Sequence, residues 1–571
     1  MRVINAIYEK FSLGLLFAGV ITVAGCSTYG TQTANVRTFI ESGDYAAASE
    51  ATNELSTDGK DRLLHYMESG MVQHLSQNYD GSNAKLDQAA SIAEDLTTKR
   101  AGDVLKEALI SPSQSDYAGQ EFERAFIHYI KALNYTMMAL ANPAEKIDHI
   151  ESARIESRKV DILLSDVSAQ KGSYQDAKDE EGQLFSKLMK IFAVLNGKLD
   201  KDKLIYREDA YVRYMNGLIY EINGELDGAR IAYQKAVELY EQGYSKQYGL
   251  GKSIVQQAWF DTIRVMKQDG GYENEWPSLA KQKLSDTQQK ELEVSGQAQI
   301  VVIGHAGWVP PRGELNMHLT LENTELVIKP VLTGTPQEQE AQQAWFQLMY
   351  ADRGLLQMLD NMQSRGVIGA LEGLNSKRVG LGPLWGIAEQ IGLPKALETV
   401  GARVTVPYYR FEPKAFGTTQ VILDGKQSGE MIQVESLANL AYQGQLLNAD
   451  SDLQSALGRT VTKNLLCSQI ENELGKIACK SAAALSSQAD TRAWLTLPHS
   501  IYVKRLSVAP GTHQITLRTP SANGGPYHEV TKSVEVGDGA IIILQEHILP
   551  MQNTAVAQQA ASAQTMWLTK R

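Results

Sequence analysis

From about Arg37 to Lys290 apolar residues recur at three- and four-residue spacing, with few prolines, which predicts a succession of amphipathic helices. At residue 296 the pattern changes. Gln299-Ile300-Val301-Val302-Ile303 is a β-branched run bounded by glycines, and residues 315–333 alternate as strands do. Residues 337–363 return to helical spacing, and a Gly-rich apolar segment covers 354–392. Val404 to Tyr409 and Gln420 to Leu423 read as strands, with Asp424-Gly425 as a tight turn. Residues 434–482 are helical again. The runs Leu495-Thr496-Leu497-Pro498, Tyr502 to Val508, His513 to Leu517, Glu529 to Val536 and Ala540 to Gln545 predict a strand-rich end. The expected fold is multidomain α+β: an N-terminal helical array over 37–290, a mixed region over 296–485, a small β-sandwich-like domain over 490–548, and a disordered tail over 549–571.

Repetition sharpens the helical part. Tyr211 to Tyr240 places Gly217, Tyr220, Ala229, Tyr233 and Ala236 at offsets 0, 3, 12, 16 and 19. These are the signature offsets of the tetratricopeptide repeat, in which small residues sit where two antiparallel helices touch and aromatics fill the gaps beside them. Gly70, Gln73, Ser82, Leu86 and Ala89 fit the same frame more loosely. Ala132, Tyr135 and Ala144 begin it and then lose it at Asp148 and Glu151. Ser42-Gly43-Asp44-Tyr45-Ala46 reads as a turn that opens another helix. The array is therefore expected to be an α-solenoid, a shape that binds proteins on a concave face more often than it catalyses.

The N-terminus adds an address. Arg2 and Lys10 flank a short basic region, and Phe11 to Val23 is uncharged and apolar apart from Ser12 and Thr22. About 13 residues suit a signal-peptide core and fall short of the ~20 needed to span a bilayer. Val23-Ala24-Gly25-Cys26 follows and resembles the lipobox of bacterial lipoproteins, with Val where Leu is commonest. The resemblance implies a signal peptide over 1–25, diacylglycerol and palmitate on Cys26, and a tether over 26–36. Ser27 stands where an Asp would retain such a protein at the inner membrane, so an outer-membrane anchor facing the periplasm is expected. Several acyl chains anchor stably where one alone is marginal.

Net charge is −11, and loss of residues 1–25 would remove Arg2, Lys10 and Glu9. An acidic chain without a basic stripe argues against nucleic acid as the partner. Of the three cysteines, Cys467 and Cys479 remain after Cys26, a candidate disulfide in an oxidising compartment. On one unbroken helix they would stand about 18 Å apart, too far for a bridge, unless Gly475 breaks the helix and folds it back.

The whole mature chain is similar to a family of bacterial outer-membrane lipoproteins that combine a lipobox, degenerate tetratricopeptide-like helices and a β-rich C-terminal half. The residues that carry the likeness are His128 to Tyr135, Val302-Ile303-Gly304-His305-Ala306-Gly307 with Pro310-Pro311, Val406 to Arg410, and Asp490-Thr491-Arg492-Ala493-Trp494-Leu495-Thr496-Leu497-Pro498. Members are often encoded beside a second lipoprotein similar to activators of penicillin-binding proteins, which implies a role in envelope assembly. The family offers no catalytic residue to carry over.

A search for chemistry finds decoys. Gly251-Lys252-Ser253 ends like a phosphate-binding loop, but Lys246 stands where its first glycine belongs. His65 and His74 lie nine apart, not the four that share a helix face for zinc. His305, expected in a loop after a strand, can reach a ligand. The preferred reading is a loop shaped by glycine and proline with Trp308 packed inward. Arg492 with Trp494 is a candidate cation–π pair, and Tyr408, Tyr409 and Phe411 are expected to pack in a core rather than touch a glycan. No catalytic residue, metal or cofactor is expected.

The expected function is therefore a non-enzymatic, lipid-anchored scaffold or adaptor. Its expected partners are the membrane, through the lipid, and envelope proteins, including a neighbouring lipoprotein. Alternatives are an accessory lipoprotein of a secretion or transport complex and, behind it, a glycan-binding or cell-wall-active enzyme. Replacing Cys26 with alanine should abolish lipid labelling and release the chain from membranes; retention of Cys26→Ala in the detergent phase would exclude the anchor.

Overall fold

The computed structural model describes residues 29–99, 112–171, 209–293, 298–351, 375–380, 402–410, 416–521 and 528–549, except positions 56, 58, 143, 469 and 486, together with 385, 389, 394 and 397. The expected signal peptide, Cys26, Ser27, most of the Gly-rich segment, Phe411 and residues 550–571 lie outside the described residues.

The chain is mixed α+β, helical first and then sheet-rich. The helices are α1 (Tyr29–Glu41), α2 (Tyr45–Asn53), α3 (Arg62–Leu75), α4 (Tyr79–Lys99), α5 (Glu121–Ala141), α6 (Lys146–Lys171), α7 (Ala210–Ile222), α8 (Leu226–Leu239), α9 (Ser253–Asp269), α10 (Trp276–Lys283) and α11 (Asp286–Glu293). Helices α1 to α9 pack chiefly on their neighbours in sequence. Their ends are set locally. Asp44 Oδ1 accepts Ala47 N–H at the start of α2, and Gln120 with Glu123 forms a capping box at α5.

Helix α1 reaches into the segment expected to be a tether. Tyr29, Thr33, Val36 and Ile40 are all buried and repeat at helical spacing, so the stripe folds onto the array rather than hanging in solvent.

Two helix pairs close on a glycine. A Cβ on Gly217 would lie 2.6 Å from the Tyr233 ring, and one on Gly70 would lie 2.6 Å from Leu86 Cδ2. Both pairs are sixteen residues apart, as the repeat frame requires. Ser82 Oγ also donates to Gly70 O at 2.7 Å, so the second pair is fastened where the first uses Ala229.

The sheet-rich part holds three four-stranded sheets. The central one runs β12 (Ile541–Ile548), β1 (Ala298–Ala306), β9 (Ser500–Val508), β8 (Ile432–Ser436), with β1 and β12 parallel and the other pairs antiparallel. The second runs β11 (His528–Val536), β10 (Gly511–Thr519), β6 (Gln420–Leu423), β7 (Lys426–Glu430). The third runs β4 (Lys377–Gly380), β3 (Glu325–Val331), β2 (Arg312–Glu322), β5 (Ala402–Tyr409). It packs with α12 (Pro336–Met349) and α13 (Leu437–Ser468), which is followed by α14 (Glu473–Leu485).

All nine residues of β1 are buried, so the strand needs cover on both faces. Ala298, Ile300 and Val302 pack with Tyr502, Leu506, Ile515, Leu517 and Leu544 against the second sheet. Val301 and Ile303 join Ile501, Val503 and Ile543 in the large core shared with the helices. The pairing crosses the expected boundary between 485 and 490, since β9 and β12 frame β1, and β10 pairs with β6. Strands β9 and β12 thus complete a sheet begun at Ala298, and β10 and β11 complete one begun at Gln420. Leu495-Thr496-Leu497-Pro498, expected as a strand, is irregular chain buried against the helices, with its N–H groups taken by side chains.

These close approaches make a paired test. Gly217→Ala should destabilise the protein by about 1–3 kcal/mol through overpacking against a rigid ring. Gly444→Ala, within α13 and with nothing within 4 Å of the added methyl, should be neutral or stabilise by up to about 1 kcal/mol. Urea denaturation of both variants measures the contrast, and equal midpoints would remove the close-packing account.

Candidate functional site

The chemistry-bearing side chains gather where the helical array meets the central sheet. Three groups lie along that seam.

The first is a docked segment. Residues 490–498 leave α14 and pass beneath the helices before entering β9. Glu68 of α3 accepts from Leu495 N at 2.8 Å, Thr496 N at 3.2 Å, Thr496 Oγ1 at 2.5 Å and Tyr29 Oη at 2.6 Å. Glu123 of α5 accepts from Trp494 N at 2.8 Å and Tyr117 Oη at 2.7 Å. Burial pushes both carboxyls upward, opposed by these donors. Arg37 of α1 donates Nε to Leu495 O at 2.8 Å and Nη2 to Val309 O at 2.7 Å. Two helix carboxylates and one guanidinium thus satisfy backbone that no strand partner reaches.

Arg492 closes the near end. It meets Asp490 Oδ1 and Oδ2 at 2.8 and 2.9 Å and Asp61 Oδ1 at 2.8 Å. The expected stacking with Trp494 is replaced by Tyr117, whose ring lies 5.2 Å from the guanidinium carbon. The Trp494 indole, fully buried, donates to Thr496 Oγ1 at 3.1 Å.

The second group is a histidine cluster. His305 is not in a loop: it is the eighth residue of β1, 1% exposed, because strand pairing with β9 and β12 continues to Ala306. It stands in register beside His547 of β12, with ring centroids 4.8 Å apart. His74 of α3 meets His547 edge-on at 5.8 Å. Three imidazole nitrogens converge on the Gln545 side-chain nitrogen, His74 Nε2 at 2.6 Å, His547 Nε2 at 3.0 Å and His305 Nδ1 at 3.2 Å. Tyr129 Oη bonds His305 Nε2 at 3.1 Å and Tyr211 Oη at 2.8 Å, and Asn134 Oδ1 bonds His74 Nδ1 at 2.5 Å. Burial lowers all three histidines, His74 to about 4 and His305 to about 3, so the cluster is neutral at pH 7. Among the described residues no group of His, Cys, Asp or Glu is arranged to hold a metal ion.

The third group is acidic. Asp209 caps α7 through Val212 N at 2.9 Å and lies against Glu435 of β8. Glu435 accepts from Tyr244 Oη at 2.5 Å and from Ser436 N at 2.6 Å. Burial is the main cause that raises both carboxyls, Asp209 to about 6, with their mutual repulsion lifting Glu435 further. Nearby, Glu221 and Asp261 pair with Arg264 and Arg505. Glu221 meets Arg264 at 2.6 Å and Arg505 at 3.2 Å, and Asp261 Oδ1 meets Arg505 Nε at 3.0 Å, all buried. Despite burial, the two guanidiniums hold Glu221 down at about 2.

Other predicted residues fall elsewhere. Cys467 and Cys479 are bonded, with Cα atoms 5.5 Å apart. The chain reverses at 470–472, before Gly475, because Asn472 caps α14 by accepting Leu474 N at 3.1 Å. Tyr408 and Tyr409 are buried, and Trp308 packs inward with its Nε1 donating to Glu41 at 2.7 Å. Ser253 begins α9 and lines an open cleft of about 570 Å³ with Phe416, Thr418, Glu430, Gln433 and Tyr502. Glu430 is the single carboxylate among the described residues of that lining. Sequence reasoning missed Glu68, Glu123 and the Asp209–Glu435 pair. The signal available was a carboxylate inside an otherwise apolar helix face, such as Glu68 within Leu64 to Val72.

The acid pair has a pH signature of defined sign. Folded pKa values raised above those of the unfolded chain give stability that is present in acid and lost as pH rises through about 6. The histidines act oppositely: their depressed values give stability present above about 6.5 and lost as pH falls toward 4. Asp209→Asn keeps the cap and removes the buried charge. It should therefore stabilise by about 1–3 kcal/mol at pH 8 and little at pH 4. Melting curves at the two pH values measure this, and a pH-independent difference would show that the pair holds no shared proton.

Comparison of the sequence with known family models gave no match, and no curated protein matches it.

Proposed function

We propose that this chain is a lipid-anchored scaffold of the bacterial envelope, tied to the outer membrane through Cys26 and holding protein partners on the periplasmic side. Three observations support the reading. Gly25-Cys26 follows an apolar run of signal-peptide length. Among the described residues no helix is long and apolar enough to cross a membrane. The helices pair through a glycine–large-residue contact at the spacing of tetratricopeptide repeats, in Gly217–Tyr233 and in Gly70–Leu86. That last observation carries most, because it supports reading the helical array as a repeat of the kind whose extended surfaces bind protein partners.

The docked segment refines the proposal. The array already holds residues 490–498 of its own chain by backbone contacts to Glu68, Glu123 and Arg37. Partners are therefore to be sought on helix faces and sheet edges away from that segment. An accessory role in a secretion or transport complex is the second reading, and it shares the anchor and the helical array. A glycan-cleaving role receives less support. Two carboxylates must flank a sugar bond, whereas among the described residues the cleft offers Glu430 alone and the Asp209–Glu435 pair is buried.

Crosslinking in cells, followed by recovery of the protein from outer membranes and mass spectrometry, tests the proposal. Recovery of a defined neighbouring lipoprotein or synthase is expected, and recovery of a secretion channel would favour the second reading. Absence of any protein partner under effective crosslinking would overturn both.

A further inference from the structure

Three imidazoles meet at the seam from three elements. His74 comes from the last turn of α3, His305 from β1, and His547 from β12, the edge strand of the central sheet. Hydrogen counting fixes their state. Asn134 of α5 gives both amide hydrogens to α4, to Ser82 Oγ and Asn83 Oδ1 at 2.9 Å each. Its Oδ1 is left to accept from His74 Nδ1 at 2.5 Å. His74 Nε2 is then a bare lone pair, and it faces Gln545 Nε2 at 2.6 Å. Gln545 has one more hydrogen, for which His547 Nε2 at 3.0 Å and His305 Nδ1 at 3.2 Å compete. The arrangement suits three uncharged rings. An imidazolium would turn an N–H toward the amide N–H groups.

No negative charge waits there for a proton. Facing the cluster are Tyr79 of α4, 6.0 Å from the His74 ring, Tyr129 of α5, which bonds His305 Nε2 at 3.1 Å, and Tyr211 of α7 behind it. Lys532 of β11 donates to Gln545 O at 3.0 Å. Glu546 lies on the other face of β12, taken by Lys532 at 2.6 Å and His528 at 3.5 Å. Asp209 acts on Tyr129 and Tyr211 and not on the histidines. Among the described residues no carboxylate bonds any of the three rings. Two protons would set like charges on rings 4.8 or 5.8 Å apart, with His74 and His305 buried.

The helix side is what can yield. Strand β12 is laddered to β1 from Ile541 to Ile548, whereas α3 meets β12 through the side chains of His74, Gln545 and His547. The opposite edge of the sheet holds in acid, because the Asp209–Glu435 pair lies at β8 and is stable when protonated. We propose that His74, His305 and His547 form a pH-sensitive latch, closed while all three rings are neutral and opened by acid, which fastens the α3–α5 part of the helical array to edge strand β12. Opening lets water reach the rings, which then titrate near 6.5, whereas the closed site holds His74 down at about 4. The closed form is therefore favoured above about 6.5 and the open form as pH falls toward 4. The latch does not rest on the envelope reading.

Hydrogen–deuterium exchange of the whole folded protein, read by peptide mass spectrometry at pH 7.5 and 4.5 and corrected for the intrinsic pH dependence of exchange, tests this. Protection of the last turn of α3, of α5 around Tyr129 and of β12 should fall about tenfold or more at pH 4.5, while β2 and β3 keep theirs. Gln545→Glu puts a carboxylate within reach of all three rings and should keep the latch closed at pH 4.5. His74→Gln/His547→Gln leaves one titrating ring of three, and its acid loss should be smaller by about tenfold or more. If the double variant does not fold at pH 7.5, Gln545→Glu decides. Unchanged protection of the parent between the two pH values overturns the latch. So does an equal acid loss in the parent and either folded variant, or a loss spread evenly over the chain, which would be global unfolding.

Discussion

Strand β1 has no polar face. Its nine buried residues must be covered on both sides, and the rest of the architecture follows from how that is done. The second sheet supplies one cover through Ile515 and Leu517, and the helical array supplies the other through the core around Val301 and Ile303. Burial on this scale brings along polar groups that have to be matched at the seam. Arg505 of β9 is answered by Glu221 and Asp261, Gln299 by Arg505, and His305 by Tyr129 and Gln545. A buried ion pair of this kind adds little net stability, but loss of one partner costs roughly 3–5 kcal/mol. The network therefore specifies how the array sits on the sheet more than it strengthens the contact.

The segment at 490–498 shows the same economy in backbone. It has no strand neighbour, and its N–H groups end on carboxylates of α3 and α5. The helices thus hold an extended stretch of their own polypeptide through Glu68, Glu123 and Arg37. Around these three side chains the helix surface is thereby taken by covalently attached chain.

The titratable groups at the seam pull stability in opposite directions with pH. Neutral histidines favour the folded state above their unfolded values, and protonated carboxyls favour it below theirs. The two sets oppose each other over the mildly acidic range, and each can be probed separately.

The sequence by itself determined what depends on near neighbours. Helical periodicity over 37–290, the change of pattern at 296, the Asp424-Gly425 turn and the Gly217–Tyr233 spacing are local regularities, and residues within about twenty positions suffice to write them. The Tyr29–Ile40 stripe was equally local, though a Ser/Thr-rich composition masked it. Tertiary structure decided what depends on distant partners. Nothing near His305 announces that β12, some 240 residues away, will extend the strand past it and set His547 beside it. Nothing in Leu495-Thr496-Leu497-Pro498 distinguishes a strand from an extended segment whose hydrogen bonds go to Glu68. Arg492 has Trp494 two residues away and stacks on Tyr117 instead, because the fold brings that ring and Asp61 to it. Burial and pairing are properties of the whole packed chain, and a linear pattern carries only each residue's readiness to take part in them.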